Sequence, residues 1–166
     1  MHRIIGATFI FLSCIGFGMS KIRELRGHLY ALESIQKIMC LIRNELMYMK
    51  TPFAEIFEKI ATKTEEPFQI WLYEMYKKIR KKQQGNVTEI WCNSIDFYLK
   101  ETALKKDDIE DLKNVGKNLE SVENINLFIE QLEYKISVVR ENNESKQKIY
   151  RSLGIMSGIF IIILLI

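Results

Sequence analysis

Two stretches without a charged residue, "IIGATFIFLSCIGFGM" at 4–19 and "LGIMSGIFIIILLI" at 153–166, bracket a middle rich in charged and polar residues. Chain ends are ordinarily wet and frayed, so apolar ends ask for a solvent other than water. A buried core helix would keep one polar face, and in the second run only Ser157 is even mildly polar. Both runs therefore point to lipid. At 1.5 Å per residue, about 14 helical residues reach only about 21 Å into a hydrocarbon core of about 30 Å. Each run is expected to be a short span, helped by its flanks or by local thinning of the bilayer.

The flanking charges set the expected orientation. Lys21, Arg23 and Arg26 follow the first run, Lys146, Lys148 and Arg151 precede or open the second, and only Arg3 lies outside. By the positive-inside rule the middle is cytoplasmic and both termini lie on the opposite side of the membrane. A cleaved secretory signal is the rival reading of the first run, because Gly16-Phe17-Gly18 resembles a small-x-small cleavage site. The cations immediately after the run resist export and favour a retained anchor. The expected organisation is a transmembrane helix at 4–20, a cytoplasmic domain at 21–148 and a second transmembrane helix at 149–166. Gly16 and Ser20 stand four apart in the first span, as Gly154 and Gly158 do in the second, so each helix offers a flat strip for close packing. The two strips are expected to face each other in an antiparallel hairpin, although the general abundance of glycine in membrane helices accounts for them equally well.

Within the middle, breakers are scarce: the chain has two prolines, Pro52 and Pro67, and strand-like alternation is absent. Leu25, Leu29, Leu32, Ile35, Met39, Ile42, Leu46 and Met49 keep a three-four spacing that lays one apolar stripe along a long first helix. Thr51 as N-cap and Pro52 as first-turn proline open a second helix burying Phe53, Ile56, Phe57 and Ile60. A third starts near Pro67 and buries Phe68, Trp71, Leu72, Met75 and Ile79. Ile90, Trp91, Ile95, Tyr98 and Leu99 mark a fourth. Asp107 with Glu110 reads as a capping box opening a fifth through Ile109, Leu112 and Leu119. A sixth opens near Ser121 and carries Val122, Ile125, Phe128, Ile129, Leu132, Ile136 and Val139. The fold class is all-α: a compact bundle of about six helices between two transmembrane helices.

Catalytic chemistry finds little support. Net charge is +3 over 166 residues, too small to name an acidic partner. Cys14, Cys40 and Cys92 have no paired spacing and fit isolated thiols in a reducing compartment. The histidines are His2 and His28; His28 could pair with Glu24 one turn earlier, but no second pair completes a metal site, so it is expected on the helix surface. No phosphate-binding glycine loop and no nucleophile elbow occurs, and no active site, metal or cofactor is expected. The basic run Lys77, Lys78, Arg80, Lys81, Lys82 admits a nucleic-acid or anionic-lipid reading. Cations also collect at helix C-termini because the dipole favours them, and Tyr73 and Tyr76 read as core edge, so no nucleic-acid partner is expected.

"ELMYMKTPFAEIFEKIA" at 45–61, the Trp91 helix, "LKNVGKNLES" at 112–121 and "KIYRSLGIMSGIFIIILLI" at 148–166 together resemble the stage III sporulation protein AB family over nearly the whole chain. The chain departs from the pattern at Leu119-Glu120, where a Leu-Gly pair is expected, and at Asn126, where a glutamine is expected. The resemblance implies a cytoplasmic domain similar to the inner-membrane platform protein of type II secretion and type IV pilus machines. It implies a non-enzymatic scaffold of the channel complex between mother cell and forespore, in the mother-cell membrane around the forespore. The implied partners are a secretion-type ATPase, other membrane proteins of the channel complex and membrane lipid, with a homo-oligomer also open. The scaffold role and its partners are thus an analogy from fold. The alternative is a helical accessory or regulatory subunit of an unrelated membrane complex. The polar, family-like helix junction of Lys50, Thr51, Pro52 and Glu55 is the expected partner surface, unless these residues only cap a helix.

Overall fold

The computed structural model describes residues 2–48, 51–81 and 86–165. Six helices follow in order: α1 His2–Tyr48, α2 Phe53–Ala61, α3 Phe68–Arg80, α4 Val87–Tyr98, α5 Lys106–Gly116 and α6 Val122–Leu165. No strand occurs among the described residues. The all-helical expectation holds, with one change in accounting: the apolar end runs are not separate helices but the outer parts of α1 and α6. Among the described residues, no helix is long and apolar enough to cross a membrane.

Contacts divide the chain into a terminal unit, Met1–Leu29 with Ser137–Ile166, and a bundle unit, Tyr30–Ile136. In the bundle, α1 buries Leu32, Ile35, Met39 and Ile42 of the expected stripe, together with Ala31 and Ile38. Leu46 is only half-buried, and Met49 lies outside the described residues. Ile56, Phe57 and Ile60 of α2, Phe68, Trp71, Leu72 and Met75 of α3, and Trp91 and Ile95 of α4 are buried as well. Leu112 and Val115 of α5 and Ile125, Phe128, Ile129, Leu132 and Ile136 of α6 complete the core.

Two buried indoles organise the bundle centre. Trp71 and Trp91 meet edge to face with ring centroids 4.9 Å apart, a favoured aromatic geometry. Both polar handles are satisfied: Trp71 Nε1 donates to Ser94 Oγ at 2.8 Å, and Trp91 Nε1 donates to the Leu112 carbonyl at 2.8 Å. The Ser94 hydroxyl in turn donates to the Trp91 carbonyl at 2.8 Å, so a buried serine links two helices without an orphaned group. Trp91 lies directly on the backbone of Gly116, where a Cβ would fall within 2.8 Å or less of three ring atoms.

Two expected helix starts are corrected. Pro52, not Thr51, is the N-cap of α2, with extended backbone (ψ 143°) and a carbonyl that accepts from the N–H groups of Glu55 and Ile56 at 3.0 and 3.1 Å. No side chain caps this end, because the chain enters the helix one residue later than the threonine suggests. α5 begins at Lys106, and Asp108 rather than Glu110 closes its first turn, with Oδ2 accepting from the Lys105 N–H at 2.8 Å. Burial explains the choice: the Asp108 side chain is 3% exposed and needs fixed partners, which the cap N–H and Lys135 Nζ at 2.6 Å supply. The same helix stops at Gly116, short of the expected Leu119, which is buried in the connection that follows.

The terminal unit packs in one antiparallel register. A Cβ on Gly18 would stand 3.3 Å from the Tyr150 carbonyl oxygen, and Asn143 Nδ2 donates to the Leu25 carbonyl at 2.9 Å. The two contacts lie seven residues apart along each helix, the repeat of a coiled seam. Asn143 is buried at 5% exposure. His28, one turn beyond Leu25 on the same face, is buried too, at 7% exposure, which corrects its expected place on the helix surface.

Candidate functional site

The junction singled out in the sequence opens onto a groove of about 650 Å³ in the bundle unit. Glu45 reaches it from the last turn of α1, and Thr51 from the connection to α2. Ala54, Glu55, Glu58 and Lys59 come from α2, and Tyr76 and Arg80 from α3. Of the expected partner-contact residues, Thr51 and Glu55 therefore line one cavity. Pro52 is exposed beside it, and Lys50 lies outside the described residues.

The periodicity of α2 explains the arrangement. Ile56, Phe57 and Ile60 turn inward, so Glu55, Glu58 and Lys59 are left on the outer arc, adjacent to one another by helical spacing. Three carboxylates face two cations, and both cations are already engaged. Lys59 Nζ lies 2.5 Å from Glu45 Oε1. Arg80 donates to the Tyr76 hydroxyl and holds its guanidinium carbon 5.6 Å from the centre of that ring. The hydrogen bond to Tyr76 is the first cause of a raised pKa at Arg80, which keeps the guanidinium charged. Glu45 Oε2 is buried and accepts no hydrogen bond, while the exposed Glu55 and Glu58 carboxylates look into the groove. An unsatisfied buried carboxylate oxygen is costly and is relieved by any donor that enters. The groove lining is thus net acidic, with three carboxylates against two engaged cations.

Glu45, Glu58, Lys59, Tyr76 and Arg80 were not legible as site residues. One signal was available: Tyr76 and Arg80 stand four apart, the spacing at which a guanidinium can fold over a ring. That pairing takes Arg80 out of the solvated basic run to which its sequence position assigned it. Among the described residues, no group of three or more histidine, cysteine, aspartate or glutamate side chains could hold a metal. Of the expected packing strips, Gly16 and Ser20 are exposed, and a Cβ on Gly16 would meet nothing within 4 Å; the close approach falls at Gly18. Gly154 and Gly158 lie in α6, but their surroundings are outside what is described.

Comparison with known proteins agrees along the whole chain. The family model for Stage III sporulation protein AB matches residues 3–166. The Stage III sporulation protein AB of Bacillus subtilis (strain 168) is 26% identical over an alignment of 178 positions, covering 99% of this chain and 99% of that one. A solved structure of Stage III sporulation protein AB (SpoIIIAB) superposes with a TM-score of 0.66 at 18% identity, over 71% of this chain and 97% of the other; that likeness speaks for the fold. The landmarks at 45–61, 112–121 and 148–166 all fall inside the matched range, and on that match the chain belongs to the stage III sporulation protein AB family.

Proposed function

We propose that this member of a sporulation family is a non-enzymatic scaffold subunit, held in the mother-cell membrane by its two apolar ends, whose cytoplasmic bundle receives a secretion-type ATPase of the mother cell-forespore channel complex. The observation that carries the reading is the groove. It gathers Thr51 and Glu55 with a buried Glu45 oxygen that has no donor, a combination suited to an inserted arginine or lysine of a protein partner. Charge-assisted hydrogen bonds to Glu45, Glu55 and Glu58 would fix the partner's orientation and contribute to its on-rate. Other membrane subunits of the complex, or further copies of the chain, fit beside the ends through close helix packing of the kind seen at Gly18.

Pull-down of the ATPase with full-length chain carrying Glu55→Lys and Glu58→Lys tests the groove. Both side chains are exposed, so circular dichroism should be unchanged while binding falls at least about tenfold, the scale of losing close charge pairs at an interface. Undiminished capture would remove the groove from the contact. For the topology, a membrane-impermeant thiol reagent applied to intact cells should label a cysteine added at either terminus and spare one at position 85. The reverse pattern would overturn the cytoplasmic placement.

A further inference from the structure

The outer face of α3 and the end of α4 carry a chemistry that the groove does not use. Phe97 is 76% exposed and Tyr73 45% exposed, while Tyr98 sits half-buried with its ring edge-to-face on Phe97 at 4.8 Å. Lys77 Nζ stands 4.5 Å from the centre of the Tyr73 ring, and Lys78 Nζ 5.7 Å from that of Tyr98. Lys81 is exposed at the end of the same helix. Glu74, 2.7 Å from Lys77, is the carboxylate that faces these lysines from α3, and the neighbouring Asp96 is paired with Lys113 at 2.5 Å. Three lysines against Glu74 leave the face positive around a protruding phenyl ring.

We propose that this face docks on an anionic phospholipid surface. Aromatic rings flanked by lysines are the composition of membrane interfaces, where the ring enters the headgroup boundary and the ammonium groups stay in water beside phosphate. Single-stranded nucleic acid fits less well, because base stacking needs open ring faces and those of Tyr73 and Tyr98 carry the chain's own lysines. An acidic protein segment fits less well too. The cations here are lysines, compact point charges without the guanidinium fork that selects a particular carboxylate, whereas a lipid surface rewards charge without requiring stereochemistry. The face adjoins the groove, with the Tyr73 ring 5.8 Å from that of Tyr76, but shares no residue with it, so the proposal does not rest on the ATPase reading.

The test uses the full chain in nanodiscs of neutral phosphatidylcholine, with empty discs as control, mixed with sucrose-loaded vesicles of phosphatidylcholine alone or with phosphatidylglycerol. Discs bearing the chain should sediment with the anionic vesicles only, and high salt should release them. Lys77→Gln with Lys78→Gln should weaken capture roughly 25-fold, about fivefold per lysine. Phe97→Ser should weaken it as well, and both variants should keep the wild-type circular dichroism because the changed side chains lie outside the core. Lys77→Gln with Lys78→Gln should capture the ATPase as well as wild type does, which separates failure of this proposal from failure of the groove. Capture by neutral vesicles to the same extent, capture indifferent to the lysine and phenylalanine changes, or loss of a bound protein or nucleic acid in these variants with vesicle capture intact would each overturn it.

Discussion

Gly116→Ala should be the most damaging single-methyl change in the bundle. On propensity alone it should help, since alanine is favoured over glycine inside a helix by roughly 1 kcal/mol. The structure reverses the sign. The new Cβ would lie within 2.8 Å or less of three atoms of the Trp91 ring, and that ring has nowhere to go. It is fully buried, stands edge to face against Trp71 at 4.9 Å, neighbours Phe57 at 6.1 Å and donates to the Leu112 carbonyl. Overpacking of this kind costs about 1–3 kcal/mol, and a displaced indole N–H left without its acceptor costs about 1–3 kcal/mol more. Against the propensity gain, the net loss is roughly 3 kcal/mol, or on the order of 10–20 °C in Tm for a domain of this size. Chemical unfolding followed by tryptophan fluorescence reads the contact directly, because the chain's two tryptophans are the two rings at issue. Adding Trp91→Phe, which shrinks the ring, should make Gly116→Ala markedly less costly than it is alone. A neutral or stabilising Gly116→Ala, or strict additivity in that double-mutant cycle, would refute the reasoning.

Asp108→Asn should cost about 1–3 kcal/mol in the same assay, because it removes the nearer and more buried of the two ionic partners of Lys135 and weakens the cap on Lys105. Burial alone would lower the Lys135 pKa, but hydrogen bonds to Asp108 and Asp111 outweigh it and hold the value above 10.5. A raised lysine contributes stability that is complete below its unfolded pKa and is lost as pH climbs through the folded one. The wild-type advantage over Lys135→Met should therefore shrink only in alkaline solution above that value, and a loss beginning near neutrality would contradict the assignment. In the terminal unit, cysteines at Gly18 and Tyr150 should crosslink within one chain under mild oxidation, whereas a Gly16 and Gly158 pair lies out of that register and should not; the opposite preference would show a different register.

The three-four spacing of apolar residues from Leu25 to Leu46, and its counterpart from Ile125 to Ile136, sufficed to show long helices and the face each one buries. The family was legible as well, in motifs spread over the chain, and the junction singled out in the sequence contributes Thr51 and Glu55 to one groove. These are properties of one segment at a time. Helical period is local, so a stripe can be read without knowing what covers it. What covers it was decided only in three dimensions. His28, Asp108 and Asn143 look like ordinary polar neighbours of a stripe, yet each is buried; Asn143 meets the Leu25 carbonyl of α1 and Asp108 meets Lys135 of α6. Glu45 became a half-satisfied carboxylate only when α2 brought Lys59 to one of its oxygens and left the other without a donor. Gly116 is silent in sequence for the plainest reason. A glycine carries no side chain to indicate what packs on it, and the ring that requires its bareness stands 25 residues earlier in the chain, on another helix.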